Sequence, residues 1–429
     1  MTVERGRSGL PRPTTPRVHL LTASLAIAAF FGFGLLVFAI AIVLPEMMDE
    51  LGWTNAAISA GLTIGLLSAG LAAPAVGALI DRYGGRSPMV TGAVVTSLGM
   101  WSWSLVTAYP LYVLSWLVLG AGMALLLYEA AFTTMVRHAP ARRRQGLLVI
   151  SFLGALAATA FLPIIELLVR AVGWREALVV LAITNLVVVT PLLAVGVPGR
   201  GKVIAPEASE GSPDGTARDA ADELSAGVTV VPPVRVEDLS MLRDGRLRRI
   251  GIATLLGDAP VYAVSVHIVA YLIVSGRSTT FAALMGGLVG VAKLAGRIGV
   301  GLLVRKVSSY ALLISGYLLV GVALALPLLP FGGMLDIAMA VGFGVGSGAQ
   351  TVTRPMYVSD LYGTAGFGRT FGRISRLGRA SMALAPGLVG ASVTATGGYA
   401  VAWAAMALGS LVAARVLPRG ERTSNVRLG

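Results

Sequence analysis

The chain has 429 residues, 55% of them hydrophobic and only 13% charged, with 34 Lys and Arg against 21 Asp and Glu. A soluble domain carries about 45–50% apolar and about 25% charged residues, so this composition excludes an ordinary water-soluble protein and predicts several membrane spans. The lack of Cys excludes a disulfide framework and a thiolate metal site, and the three His, at 19, 138 and 267, are too scattered for a His-based metal cluster.

A helix needs about 20 mostly apolar residues to cross the hydrocarbon core. Twelve such runs follow one another: 20–44, 55–80, 89–107, 111–136, 147–169, 176–197, 249–274, 279–303, 310–328, 333–357, 372–395 and 399–416. They are continuous rather than alternating, which excludes a β-barrel, and the first is too long for the core of a signal peptide. The basic residues test the count. With both termini cytoplasmic, 28 of the 34 Lys and Arg fall on the cytoplasmic side, only Arg170, Arg175 and Arg277 fall outside, and Lys293, Arg297 and Arg354 lie within spans. Topology thus explains the +13 charge, and no nucleic-acid partner is needed. The expected organisation is a cytoplasmic tail (1–19), a six-helix bundle (20–197), a cytoplasmic linker (198–247), a second six-helix bundle (248–417) and a cytoplasmic tail (418–429).

The linker holds six basic and nine acidic residues, with Pro, Ser and Gly in APEASEGSPDG, and cannot form a packed core. Its end, 234–251, is compatible with a short surface helix leading into span 7. The flanking halves resemble each other. LGWTNAAISAGLTIGLLSAG (51–70) and SGRSTTFAALMGGLVGVAKLAG (275–296) each run from an outer turn into a span with a Gly-rich, basic exit, and spans 5 and 11 each carry a Pro, Pro163 and Pro386. Six-plus-six pseudosymmetry about a central linker is the pattern of a transporter that rocks around a solute site between its halves.

The exit of span 2, GALIDRYGGRSPM (77–89), resembles the signature of the major facilitator superfamily, G-x-x-x-D-R-x-G-[RK]-[RK]: Gly77, Asp81, Arg82, Gly84 and Arg86 fit, while Gly85 and Ser87 dilute its basic end. The twelve spans, the linker and a degenerate second copy extend the resemblance over the whole chain. It implies an all-α polytopic fold of two pseudosymmetric bundles, and a gating role for this loop, carried to Asp81 and Arg82. Asp81 at the membrane edge can pair with an Arg or with an exposed helix N-terminus. In the second half Arg305 stands four residues after Gly301 and the acid is missing.

An ionisable group in mid-bilayer costs about 2.5–3.5 kcal/mol unless it is paired or faces water, which draws notice to Glu129, Glu166, Asp258, Lys293, Arg297 and Arg354. Asp258 and Lys293 lie at similar depth on consecutive helices, so an ion pair between them is allowed. Lys293 and Arg297, four apart, share a helix face, where two like charges call for an anion or an acid between them. LLLYEAAFTTM (125–135) and TVTRPMYVSDL (351–361) correspond in the two halves, so Glu129 and Arg354 are expected to form an ion pair across the cavity; two unrelated charges snorkelling to the interface are the alternative. Gln350 joins the candidate substrate ligands. Of Arg373, Arg376 and Arg379 at the start of span 11, Arg379 is the deepest and the one that can reach the cavity.

The A-G-R-x-x-x-G continuation after Lys293 is similar to span 8 of the monocarboxylate porter and oxalate–formate exchanger group. That resemblance implies that Arg297 is a carboxylate ligand, since guanidinium binds carboxylate bidentately. Lys293 stands where monocarboxylate porters have an acid, so their proton coupling does not carry over at that position. The expected function is secondary active transport of a small organic solute, a carboxylate anion, by alternating access, with Glu129 or Asp258 as the proton-responsive group. A proton-coupled exporter of amphiphilic compounds and a transporter-like sensor or scaffold acting through 198–247 are the alternatives. With no P-loop and no His/acid arrangement, an enzyme is not expected, nor is a cofactor or metal. The expected setting is the plasma membrane, with lipids, the solute and a proton as partners and a monomer as the unit.

Overall fold

The computed structural model describes residues 16–200, 244–329 and 333–419, so most of the predicted linker and of both tails lies outside the described residues. Among those described, twelve helices follow one another, each overlapping one predicted run. In the first half they are α1 (Pro16–Phe33, a π-helical turn Gly34–Phe38, then Ala39–Leu51), α2 (Asn55–Tyr83), α3 (Arg86–Ser104), α4 (Tyr109–Leu126 and Tyr128–His138), α5 (Arg143–Val172) and α6 (Trp174–Thr184, a π-helical turn Asn185–Val189, then Thr190–Gly196). In the second half they are α7 (Gly245–Val274), α8 (Thr279–Leu303), α9 (Ser309–Ala325), α10 (Met334–Tyr362), α11 (Phe367–Thr396) and α12 (Ala400–Val416). By length and composition eight of them are apolar enough to cross a membrane, and α12 is a shorter apolar helix. Several extend past the predicted runs, as α7 does from its Asp244 cap and α11 from Phe367.

Local chemistry sets the ends. Thr54, Asp244, Ser278 and Ser308 accept hydrogen bonds from the first-turn N–H groups of α2, α7, α8 and α9. Gly52, at φ 67°, closes α1 in a left-handed conformation that a side chain would strain. Small residues set the helix spacing. On α8 and α10, a Cβ at Gly296 would strike the Val345 carbonyl and one at Gly348 the Lys293 carbonyl, so these backbones touch without intervening side chains. Leu71, Leu167, Val195, Val274 and Leu302 remain exposed, the outward apolar surface expected of a protein solvated by lipid.

The halves meet chiefly through α2 and α11, with α5 against α8 and α10, and α4 against α11. Both described chain ends and the α2–α3, α4–α5, α8–α9 and α10–α11 connections lie at one, arginine-rich end of the bundle. Hydrogen bonds and ion pairs join the halves between that end and the level of Glu129. The halves are therefore tied at the arginine-rich end.

Candidate functional site

The tie at the arginine-rich end is built around the 77–86 segment. Gly77 lies so close to the Gly368 carbonyl on α11 that no Cβ fits between them, and Gly372 meets Ala73 in the same way. This close approach brings the Asp81 carboxylate onto the N-terminus of α11, where its two oxygens accept the Gly368 N–H (3.1 Å) and the Arg369 N–H (2.9 Å). Those donors are first-turn groups without helical partners, and their partial positive charge favours a carboxylate. Of the two partners open to Asp81, the structure has the helix N-terminus, while Arg137 donates to the Asp81 backbone carbonyl. Gly84 ends α2 at φ 82°, Gly85 N–H donates to Nε2 of the buried His138 (3.2 Å), Arg86 donates to the Val197 carbonyl at the end of α6 (2.7 Å), and Arg82 lies over the Tyr83 ring.

A second tie carries no signal in the sequence. Asp360 near the end of α10 accepts from Arg143 (2.9 Å) and Arg144 (2.8 Å) at the start of α5, and from Ser309 (2.7 Å) at the start of α9. Arg143 also donates to Ser359. In sequence Asp360 looks like an ordinary helix-end carboxylate, and only the packing of α10 against α5 brings it to the two arginines.

Deeper in, the predicted charges come together with different partners. Glu129 pairs with Arg379, whose Nε donates at 3.0 Å, and this bridge runs from α4 to α11 across the halves. Arg354 pairs with Asp258, one guanidinium nitrogen at 2.8 Å, joining α10 to α7 inside the second half. The expected Glu129–Arg354 pair is thus corrected, and the allowed Asp258–Lys293 pair does not form, since Asp258 is taken by Arg354. The two real pairs adjoin, since Gly378, next to Arg379, lies against the Asp258 carboxylate. Gln350 does not join them: it is buried and donates to the Gly316 carbonyl on α9 (3.0 Å), so its side chain is spent on packing within the second half. Glu166 forms an exposed i,i+4 pair with Arg170, and His267 is held between Tyr399 (3.2 Å) and the Pro386 carbonyl (3.0 Å).

Two cations have no acid. Among the described residues neither Lys293 nor Arg297 forms an ion pair. Lys293 reaches Ser265 on α7 (3.4 Å) and the face of Phe343 (5.7 Å). Arg297, only 8% exposed, donates one nitrogen to the Ser151 carbonyl of α5 across the halves (2.7 Å), and its Nε has no partner.

The helix α4 is broken at Leu127. Leu127 is extended (ψ −169°), so a new helix begins at Tyr128 and places Glu129 in a first turn whose free N–H groups favour its charge. No Gly or Pro marks the break in LLLYEAAF. Tyr128, at this junction, donates its hydroxyl to the same Ser151 carbonyl (3.0 Å), beside Phe33 and Phe132.

The sequence matches the profile described as Major Facilitator Superfamily over residues 25–386. Over 306 residues the chain is 28% identical to Monocarboxylate transporter 13 of Bos taurus, covering 70% of this chain and 66% of that protein. It is 26% identical to the Rattus norvegicus protein of the same name, covering 70% and 65%. The chain therefore spans just under two thirds of the length of these relatives. Among solved structures, the MFS proton:xylose symporter XylE, bound to 6-bromo-6-deoxy-D-glucose, superposes with a TM-score of 0.73 at 15% identity over 95% of this chain and 97% of that one, a likeness of fold.

Proposed function

The chain belongs to the Major Facilitator Superfamily, and on that premise we propose that it is a secondary transporter of a small organic carboxylate, working by alternating access. The observation that carries the anion is the charge at mid-depth: Arg354 and Arg379 are neutralised by Asp258 and Glu129, whereas Lys293 and Arg297 are left over. Desolvated cations four residues apart on one helix are costly until an anion joins them. Monocarboxylate transporter 13, at 28% identity, is a relative whose name agrees with that chemistry. In this reading the arginine-rich end is cytoplasmic, the protein sits as a monomer in the plasma membrane, the two six-helix bundles are its rocking units, and the ties at Asp81 and Asp360 hold an outward-facing arrangement.

Glu129 is the better proton-coupling group of the two carboxylates, because its bridge to Arg379 crosses the halves and must open when they part. The Asp258–Arg354 pair can travel intact within its bundle. The test is uptake of a radiolabelled carboxylate panel by proteoliposomes under imposed pH and voltage gradients. Arg297→Ala, with folding intact, is expected to abolish saturable flux, and an unchanged affinity for the transported acid removes the anion site. Glu129→Gln is expected to leave exchange of labelled for unlabelled acid in place while removing the stimulation of uptake by an inward proton gradient.

A further inference from the structure

The glycines of α8 are of two kinds. At Gly296 a Cβ would strike the Val345 carbonyl of α10, so close helix packing accounts for that residue. Gly286 and Gly290 have no such reason. Among the described residues, a Cβ at Gly290 would meet no atom within 4 Å, and one at Gly286 only the Val269 methyl at 3.5 Å. Glycine inside a helix is less stable than alanine, and no close contact here offsets that cost.

The helical repeat fixes where the two glycines look. Gly286, Gly290, Lys293 and Arg297 are spaced four, three and four residues apart, which puts all four on one face of α8. Nearer the arginine-rich end that face meets the other half, Arg297 at the Ser151 carbonyl and Gly301 at Leu148. Gly286 and Gly290 therefore look into the cleft between α5 and α8, outward of those contacts. Across it, Ala155 and Thr159 follow Ser151 by one and two turns, and Thr159 is exposed. Small residues thus face each other across the cleft. The cations at its foot lean the same way, because long helical side chains tilt towards the N-terminus of their helix, which for α8 is the outer end. Arg297, with only 8% of its surface exposed, keeps an Nε that has no acceptor among the described residues. The Lys293 ammonium reaches Ser265 and the Phe343 face, both in the outer halves of their helices, so its charge stands outward of its own backbone.

We propose that Gly286 and Gly290 set the size of the transported acid, by leaving a recess beside the two cations for a carbon body larger than that of a three-carbon acid. The class it fits is a monocarboxylate with an aryl or branched alkyl body. Resting on the anion reading above, this adds what the rest of the substrate is. The walls of the recess are apolar: the α8 backbone at the glycines, Ala155 and the Val269 methyl. The glycines stand four residues apart, about 6 Å along the axis, which matches the length of a phenyl ring. A small acid leaves this surface wet, whereas a ring covers it and sheds its own hydration. A side chain larger than glycine at position 290 takes up the space where the ring lies.

The test compares two acids that differ only by a phenyl ring, propanoate and 3-phenylpropanoate, in equilibrium binding to the full-length purified protein. The wild type is expected to bind 3-phenylpropanoate at least about tenfold more tightly, the scale set by burying an aromatic ring. Gly290→Leu is expected to erase that preference and to leave the affinity for propanoate as it was. Its melting temperature without ligand should match or exceed that of the wild type, since the added Cβ meets no described neighbour and leucine favours a helix. Ala295→Leu adds bulk on the opposite, exposed face of α8 and is expected to keep the preference. Equal affinities for the two acids in the wild type overturn the size filter while leaving an anion transporter in place. So does a Gly290→Leu protein that weakens both acids alike, which assigns the glycine to closure of the cleft, or one that weakens neither. If neither acid nor any other of the carboxylate panel binds the wild type, the anion reading falls and takes this inference with it.

Discussion

A buried ion pair is informative mainly through what happens when one partner is removed. Asp258 is 4% exposed and serves a single arginine, so Asp258→Asn leaves the Arg354 charge stranded, at a cost of about 3–5 kcal/mol. Replacing both, Asp258→Asn with Arg354→Gln, is expected to restore most of that loss. Thermal unfolding in detergent across the four proteins measures it, and a double variant no more stable than the single contradicts the pairing. Asp81 differs, because its partners are backbone N–H groups of another helix. Asp81→Ala is expected to weaken closure of the arginine-rich end by about 1 kcal/mol, the usual worth of a helix cap, and to make cysteines placed in the cavity more reactive from that side. The charged residues were legible in the sequence because ionisable groups inside apolar runs stand out. Their pairing was not, since turning a helix by one residue swings a side chain through about 100°. The internal repeat matched Glu129 with Arg354, but Arg379 on the flanking α11 reaches the same carboxylate from nearer.

Helices that touch through glycine cannot absorb side chains there. Gly77 against the Gly368 carbonyl is the tightest such contact between the halves, so Gly77→Val is expected to prevent closure at that end while each bundle still folds. Trypsin sensitivity of the α2–α3 loop, raised in the variant and unchanged in thermal midpoint, reports this. At the opposite end Arg175 pins three helices, donating to Glu50 of α1 (2.9 Å) and to the Ser104 (2.6 Å) and Val106 (2.8 Å) carbonyls at the end of α3. Arg175→Lys cannot reproduce that fork and is expected to lower the melting temperature nearly as far as Arg175→Ala, with transport affinity unaffected. The spans themselves were easy to read, since lipid solvation demands unbroken apolar runs. The break at Leu127 and the π-helical turns at Gly34–Phe38 and Asn185–Val189 were not. They arise from packing between helices: Asn185, for example, is drawn to the Ala93 carbonyl and Ser97 of α3.

Across the whole molecule, pseudosymmetry and the placement of arginines were visible from repeats and charge counts alone, whereas the state of the molecule was not. Which end is tied depends on close backbone approach and on Asp81, Asp360 and Arg297 finding partners in the other half, and these are relations between residues 146 to 287 positions apart. The account turns on an anion drawn to Lys293 and Arg297 reversing that tie. Paired spin labels test it most directly, one pair at Gln145→Cys and Lys306→Cys on the arginine-rich ends of α5 and α8, the other at Asn55→Cys and Thr396→Cys on the opposite ends of α2 and α11. With a saturating carboxylate the first distance should lengthen while the second shortens, and both should stay fixed when Arg297→Ala is added. Distances that ignore the carboxylate, or that lengthen together at both ends, contradict a pair of bundles rocking about a bound anion.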